Sequence, residues 1–159
     1  MDARTPSPLK TRRRVEFSDT DAAGIVHFSS FMLWMESVEH ELLRDAGVAV
    51  FDEQPDGTVE SWPRVSVACD YTSAIRFGDV IDIEAGVTKV GRTSVAYQFR
   101  FAHDGRPVAT GRVVAVRCRL QHGGRPQAVL VPEPIIAKLS RYAFPAEAAD
   151  PGKATAEGR

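Results

Sequence analysis

The sequence predicts an α+β fold, a single domain in which an antiparallel sheet packs around one long helix. Three observations support this: one stretch of helical period, several later stretches in which apolar residues alternate, and Gly- or Pro-containing turns between them. The chain has 159 residues, of which 43% are hydrophobic, enough for one domain with its own core. Because both ends are rich in small and polar residues, we expect flexible tails over 1–10 and 143–159 and a folded domain over 11–142.

Charge and composition argue against several classes of protein. The formal net charge is −1, so no strong field draws the chain to nucleic acid or to an anionic membrane. The basic cluster from Lys10 to Arg14 is not followed by a nucleic-acid-binding pattern, and no apolar run is long enough to span a membrane. We therefore expect a cytoplasmic protein. Cys69 and Cys118 lie within alternating apolar patterns and are interpreted as structural thiols.

The long helix is predicted from Phe28 to Ala46. Ser29 or Ser30 could cap its start, and Gly47 is placed to end it, since glycine adopts the left-handed conformation without steric cost. The apolar residues recur at steps of three and four, which predicts one buried face: Phe31, Trp34, Met35, Val38, Leu42 and Ala46.

After a loop containing Pro55, Asp56 and Gly57, the apolar period changes to two, which indicates strands with one buried face. A final long strand is expected from Pro107 to Leu120, resuming over 128–131, before a short helix from Ile135 to Tyr142. The predicted inward faces are Val65, Val67, Cys69 and Tyr71; then Ile81, Ile83, Ala85 and Val87; then Val95, Tyr97, Phe99 and Phe101.

The segment from Phe17 to Phe28 carries the candidate chemistry. It places two acids, a glycine and a histidine directly before the helix N-terminus. Unpaired N–H groups and a partial positive charge at that end suit a developing oxyanion. A carboxylate just upstream could attack a carbonyl held there or orient a water molecule. By themselves, acids before a helix are more often caps or loop ligands.

The order Asp-Thr-Asp-Ala-Ala-Gly-Ile-Val-His-Phe over 19–28, followed by Phe31, Trp34, Met35 and Glu36, resembles the 4-hydroxybenzoyl-CoA thioesterase (4HBT) family. The resemblance runs from about Arg13 to the end of the last strand and includes the Gly78-Asp79 turn. It implies the hotdog fold, in which an antiparallel sheet wraps around a long helix. It also implies hydrolysis of a small acyl- or aroyl-CoA, with no cofactor beyond the substrate's own coenzyme A, by a homodimer or homotetramer.

The resemblance assigns roles to individual residues. Asp21 matches the catalytic carboxylate, as nucleophile or general base, and Asp19 is expected to order the loop. Gly24 would let the backbone approach the thioester, and the amide of Phe28 would polarise its carbonyl. His27 stands where one branch of the family has an aromatic residue, so either catalysis or packing beside the acyl group is open to it.

Two further segments receive expectations from the family. Glu36 is expected on the interior side of the helix, near the acyl group or a dimer contact. Arg92, Thr93 and Ser94 match a segment that meets coenzyme A phosphates, a role that suits a guanidinium.

Other readings remain open. A hotdog subunit could bind acyl-CoA or acyl-carrier protein without turnover, although a binder has no need of the Asp21 carboxylate. A hotdog hydratase would carry a different Asp and His motif. The sequence lacks a Gly-x-Ser-x-Gly elbow and a phosphate-binding Gly-rich loop, and its four histidines lack metal-ligand spacing, so no metal is expected.

Overall fold

A computed structural model of the chain describes residues 5–144. Its main sheet has five antiparallel strands in the order β1-β5-β6-β7-β4. A smaller sheet has the order β2-β3-β8-β9. The elements are β1 (Leu9–Arg14), a 3-10 turn (Phe17–Asp19), α1 (Phe28–Ala46), β2 (Asp52–Glu53), β3 (Val59–Ser61), β4 (Arg64–Tyr71), β5 (Val80–Val90), β6 (Ser94–His103), β7 (Arg106–Val116), β8 (Cys118–Leu120), β9 (Gln127–Ala128) and α2 (Glu133–Ser140).

Helix α1 packs across the inner face of the main sheet, as the helical period predicts. Met35 and Val38 are fully buried, and the ring of Phe31 meets Phe101 of β6 edge-on at a centroid distance of 5.2 Å. Gly111 of β7 faces Met35, and a Cβ atom there would collide with the Met35 sulfur. The missing side chain lets the helix approach the sheet closely, which is what a dense core requires.

The two ends of α1 differ in how well they were predicted. Gly47 ends the helix in the left-handed conformation with φ 65°, which confirms that prediction. The expected serine cap is wrong. The cap is His27, whose extended backbone directs its ring so that Nδ1 accepts a hydrogen bond from the N–H of Ser29 across 3.2 Å.

The predicted inward faces of β5 and β6 are confirmed, since all eight residues named for them are buried. The prediction for β4 is wrong for three of its four residues: Val65, Val67 and Tyr71 are exposed by 63%, 46% and 45%, whereas Cys69 is half-buried against the core. Within residues 5–144, β4 is an edge strand that pairs with β7, and its register shifts between Arg64 and Ser66. An edge strand lies at the margin of what one helix can cover.

The domain boundaries extend beyond the expected range. β1 begins at Leu9, two residues earlier than expected, because Leu9 and Lys10 pair with β5. Ala143 forms a bridge with Val87, and Arg100 lies over the ring of Phe144. The remaining residues of the two expected tails, 1–4 and 145–159, lie outside the described part of the chain.

Two features after α1 were not resolved by periodicity. The loop around Gly57 carries the hairpin β2–β3, and the final strand divides into β7 and β8 at Arg117. α2 begins at Glu133 rather than Ile135, because Pro132 is the N-cap residue and a proline is tolerated in the first turn. Among residues 5–144, none of the helices is both long and apolar enough to cross a membrane.

Candidate active site

The loop between β1 and α1 is built as a tight turn. The N–H of Asp21 donates to the carbonyl of Ile25 across 3.0 Å, and the N–H of Gly24 donates back to the carbonyl of Asp21 across 2.9 Å. Gly24 has φ 74°, a left-handed conformation in which any other residue would be strained. The loop is fixed to the protein where Val26 N–H donates to Ile75 O across 2.9 Å. The turn therefore has a defined shape and place.

Asp19 orders this loop, as predicted. Its Oδ2 accepts a hydrogen bond of 2.8 Å from the N–H of Glu16. Its carbonyl accepts from His27 N–H at 2.8 Å and from the Ser30 hydroxyl at 2.9 Å. These contacts join the loop to the first turn of α1.

The carboxylate of Asp21 is exposed at the mouth of a cleft. Its Oδ1 accepts a hydrogen bond of 2.8 Å from the N–H of Ala23, which fixes the direction of the carboxyl group. Its Oδ2 accepts no hydrogen bond from residues 5–144. One oxygen is therefore held by the protein, while the other can meet a water molecule or an acyl carbon.

The cleft has a volume of about 440 Å³, within the range of small-molecule sites. It is apolar over most of its wall and carries polar groups on one side. The lining residues are Asp21, Ile25, Val26, Phe28, Phe31, Tyr71, Thr72, Ser73, Ala74 and Ile75. Phe28 is the first residue of α1, so its N–H has no acceptor within the helix, and no group in the described range accepts from it. The residues that line the cleft thus include one with an exposed carboxylate and one whose helix N–H is unused.

A larger cavity of about 830 Å³ opens elsewhere, beside β1 and β5. Four of its charged side chains form pairs, with Lys10 Nζ 3.1 Å from Glu84 and Arg12 Nε 2.6 Å from Asp82, and Arg100 lies over the ring of Phe144. These four side chains are therefore already paired with one another. The smaller cleft is therefore the better candidate for chemistry.

Tyr71 is a site residue that the sequence did not reveal. Its hydroxyl donates to the carbonyl of Phe28 across 3.0 Å, and its ring meets Phe31 at a centroid distance of 5.1 Å. Partial burial, with Cys69 and Asp70 close by, raises the pKa of Tyr71 to about 12. The phenol therefore stays protonated at neutral pH and can donate. The alternating pattern of β4 did not predict this contact with α1.

The side chain of His27 caps the N-terminus of α1. Its Nδ1 lies 2.6 Å from the Ser29 hydroxyl, and its ring stacks at a tilt on Phe28 with centroids 4.4 Å apart. It is not among the residues that line the cleft. A capping role accounts for these contacts.

Glu36 does not lie on the interior side of the helix, so that prediction is wrong. Its side chain is 50% exposed, and its Oε1 lies 3.7 Å from Arg64 Nη1. The buried acid of α1 is Glu39, whose side chain is fully buried with Oε1 3.2 Å from Arg64 Nη2. Glu39 follows Met35 by one turn and shares its face, whereas Glu36 is rotated by about 100° from that residue.

A polar cluster surrounds Glu39. Burial outweighs the attraction of Arg64 and raises the pKa of Glu39 to about 7. Arg64 Nη2 lies 2.9 Å from His40 Nε2, and because a guanidinium only donates, that imidazole nitrogen accepts and His40 is neutral. Burial and Arg64 lower the pKa of His40. The hydroxyl of Tyr97 is buried and has no hydrogen bond within the described residues.

Arg92, Thr93 and Ser94 lie at the end of the sheet opposite the cleft. Ser94 begins β6, whereas Phe101, seven residues later on the same strand, contacts Phe31 in the cleft wall. At about 3.3 Å per residue this separation is roughly 20 Å. The side chain of Arg92 is exposed, and the backbone carbonyls of Arg92 and Thr93 are bonded to Val131 and Arg117. A single chain does not bring this segment to Asp21.

Residues 15–139 match the model of the thioesterase-like superfamily. A 1,4-dihydroxy-2-naphthoyl-CoA hydrolase of Synechococcus sp. (strain CC9605) is 30% identical over 127 residues, covering 72% of this chain and 85% of that protein. A hydrolase of the same name from Prochlorococcus marinus (strain NATL2A) is 29% identical over 120 residues, covering 71% and 77%.

Solved structures show the same fold. The gentisyl-coenzyme A thioesterase BH1999 has a TM-score of 0.70 and 25% identity, covering 80% of this chain and 99% of that one. Slr0204 of Synechocystis, a 1,4-dihydroxy-2-naphthoyl-CoA thioesterase, has a TM-score of 0.73 and 17% identity, covering 84% and 96%. The fold expected from the loop motif and the long helix is therefore confirmed.

Proposed function

The chain belongs to the thioesterase-like superfamily and has its hotdog fold, and from this premise we propose that it hydrolyses the thioester of an aromatic acyl-CoA. Asp21 supplies the essential carboxylate, and the N–H of Phe28 stabilises the oxyanion. The observation that carries the proposal is the pairing of an exposed Asp21 oxygen with an unused helix N–H on one cleft.

The carboxylate can act in either of two ways. As a general base, Asp21 takes a proton from water while the water oxygen attacks the thioester carbon. As a nucleophile, it attacks that carbon directly, and water then hydrolyses the mixed anhydride. Both routes expel the coenzyme A thiolate, which takes up a proton, and release the free acid. A single turnover in ¹⁸O-labelled water separates them, because only the anhydride route can leave label in Asp21.

The oxyanion is stabilised at the start of α1. The thioester carbonyl oxygen becomes negatively charged when the carbon is attacked, and the helix N-terminus presents both an N–H donor and a partial positive charge. This donor is fixed before the reaction, so no energy is needed to orient it. One such donor typically lowers a barrier by about 3 kcal/mol.

An aromatic acyl group fits the wall of the cleft. Phe28, Phe31 and Tyr71 present rings to it, and Phe31 and Tyr71 stand at 72° to each other. Planar acyl groups pack well against rings in offset or edge-on arrangements. The relatives named above act on dihydroxynaphthoyl-CoA and gentisyl-CoA, which are aromatic thioesters. These two observations support an aroyl-CoA as the substrate class.

The complete site is proposed to need two copies of the chain. β4 is an edge strand whose exposed Val65 and Val67 would be apolar surface on a free monomer. If two β4 strands pair antiparallel about a two-fold axis, the Tyr71 end of one strand faces the Arg64 end of the other. A dimer of this kind continues the sheet across both subunits, and two such dimers would give a tetramer.

This pairing would also bring residues 92–94, the segment expected to bind coenzyme A phosphates, to the site. The β5–β6 turn lies at the Arg64 end of the sheet, so the partner's turn would approach the cleft of the first subunit. The exposed Arg92 could then bind coenzyme A phosphates while Thr93 and Ser94 offer backbone and hydroxyl contacts. Asp21 and Arg92 of different chains would serve one substrate molecule.

Thiol release from a panel of benzoyl, hydroxybenzoyl, hydroxynaphthoyl, short-chain and long-chain acyl-CoAs tests the proposal. Wild type should favour the aromatic members, and Asp21→Asn should lower release by at least about a hundredfold because the base or nucleophile is lost. Asp82→Asn, an exposed acid on the sheet, is the matched control and should keep wild-type activity. Binding of the panel without release would favour a non-catalytic acyl-CoA-binding subunit.

An enoyl-CoA added to the panel tests whether the chain is a hydratase. Loss of the enoyl-CoA absorbance without release of free thiol would identify a hydratase and contradict thioester hydrolysis. The cytoplasm remains the proposed location, on the charge and hydropathy of the sequence, and the absence of a cofactor other than coenzyme A stays a prediction.

A further inference from the structure

The side chain of Arg76 holds the turn that carries Asp21. Arg76 Nη1 donates to the carbonyl of Gly24 across 3.2 Å, and the guanidinium lies beside Gly24 at van der Waals distance, 3.6 Å from where a Cβ would be. Gly24 in turn donates its N–H to the carbonyl of Asp21. The guanidinium is therefore one hydrogen bond removed from the backbone of the proposed catalytic residue.

The backbone of Arg76 is itself held by hydrogen bonds to Asp79. Its N–H donates to Oδ2 of Asp79 across 2.8 Å, and the N–H of Asp79 donates to the carbonyl of Arg76 across 3.1 Å. Asp79 also accepts the N–H of Val15 at the end of β1 across 2.8 Å. These hydrogen bonds fix the backbone of Arg76 next to the end of β1. The Arg76 side chain, bonded to Gly24, therefore holds the loop in place relative to the sheet.

Resting on the proposed function, we propose that Arg76 is a positioning residue for the Asp21 carboxylate. A turn closed by a glycine with positive φ has few intrinsic restraints, because glycine populates many backbone conformations. The charge-assisted bond from Arg76 restrains it to the one that directs Asp21 at the acyl carbon. Catalysis depends steeply on such placement, since a misplacement of about 1 Å can cost on the order of a hundredfold in rate.

The loop keeps a second anchor that does not depend on Arg76. The N–H of Val26 donates to the carbonyl of Ile75, and this bond involves only backbone atoms. Removing the Arg76 side chain should therefore leave the loop docked and the chain folded, while the turn from Asp21 to Gly24 gains freedom. The expected defect lies in kcat rather than in stability or in substrate binding.

Arg76→Ala is the test variant, and Arg14→Ala is its matched control. Arg14 is also an exposed arginine that donates to a loop carbonyl, that of Gly78 across 3.3 Å, but it does not touch the Asp21 turn. We expect Arg76→Ala to lower kcat by on the order of tenfold with little change in KM. Arg76→Lys should retain part of the rate, methylguanidinium should restore part of it to Arg76→Ala, and Arg14→Ala should match wild type.

A double-mutant cycle shows whether Arg76 acts through Asp21. In an Asp21→Asn background, measured under single-turnover conditions, Arg76→Ala should cause no further loss, because there is no carboxylate left to position. An equal loss in both backgrounds would overturn the proposal. So would a raised KM with unchanged kcat, which would assign Arg76 to the coenzyme A phosphates instead.

Amide hydrogen exchange provides a readout independent of turnover. In Arg76→Ala the amides of Ala23 and Gly24 should exchange faster, whereas the amide of Val26 should not change. Unchanged exchange at Ala23 and Gly24 would overturn the proposal even if no substrate is found. Failure of wild type to release thiol would instead count against the proposed function, so the two failures are distinguishable.

Discussion

The hydroxyl of Tyr71 donates a hydrogen bond of 3.0 Å to the carbonyl oxygen of Phe28, joining the last residue of β4 to the first residue of α1. The same Phe28 presents the N–H that we propose as oxyanion donor. β4 is also the edge on which we propose that two chains pair. One phenol therefore links the proposed oxyanion site to the proposed subunit interface.

Tyr71→Phe keeps the ring against Phe31 and removes the hydroxyl that donates to Phe28 and also contacts Cys69. We expect kcat to fall by about three- to tenfold, because the first turn of α1 is less well fixed, and stability to fall by about 1 kcal/mol. Tyr142→Phe, which loses a bond of 2.7 Å to Asp45 away from the cleft, is the control. It should lose similar stability in urea and no activity; a Tyr71→Phe enzyme as fast as wild type would contradict the prediction.

Gly24→Ala should damage the site more than the fold. A residue with a Cβ at φ 74° costs about 1–2 kcal/mol, and the turn would relax by moving Asp21. Gly123→Ala introduces the same strain at φ 73° in an open loop with no atom within 4 Å. Thermal unfolding should show similar losses in both variants. Only Gly24→Ala should lose thiol release, and equal activity in the two would argue against a role for the turn.

The buried Glu39 predicts a pH-dependent stability. Its pKa of about 7 in the folded chain lies above the ordinary 4.5, so the folded state holds the proton more tightly than the unfolded chain. Stability is then fully present below about pH 4.5 and is lost as the pH rises through 7, by on the order of 3 kcal/mol.

Glu39→Gln isolates this effect, since Arg64, Glu36, His40 and Tyr97 remain around the site in both proteins. Urea unfolding at pH 5 and pH 8 should show the variant gaining stability relative to wild type as the pH rises. A difference between the two proteins that stays constant over this range would show that Glu39 titrates normally.

Mixing two variants with complementary defects tests the shared site. Arg92→Ala alone should raise KM for aroyl-CoA but not for the matching pantetheine thioester, which lacks the nucleotide phosphates. When Asp21→Asn and Arg92→Ala chains are refolded together, a mixed dimer contains one site with both residues intact, so activity at low substrate should reappear. No recovery, with mixed dimers shown by mass, would place both residues' functions within one chain.

Local patterns were sufficient for much of the fold. The helical period predicted the extent of α1, Gly47 predicted its end, and alternation predicted the buried faces of β5 and β6, because each of these features depends on neighbouring residues along the chain. The loop order from Asp19 to Phe28 led to the family and to the residue whose carboxylate stands at the cleft.

Contacts between distant segments were decided only by the tertiary structure. Tyr71 and Arg76 reach the loop from 43 and 52 residues away, and no local period records such a pairing. The edge position of β4 left part of its alternating face uncovered by α1, and His27 rather than a serine capped α1.

The outcomes for the two acids of α1 and for residues 92–94 have different causes. Glu39 rather than Glu36 is buried because Glu39 shares the helix face of Met35, and Arg64 of β4 contacts both acids. Arg92 is placed roughly 20 Å from the cleft by the length of β6, a separation that only the sheet register reveals. The sequence by itself determined the long helix, the central strands and the family, and it pointed to Asp21 as the candidate carboxylate. The packing of segments far apart in the chain decided what surrounds Asp21.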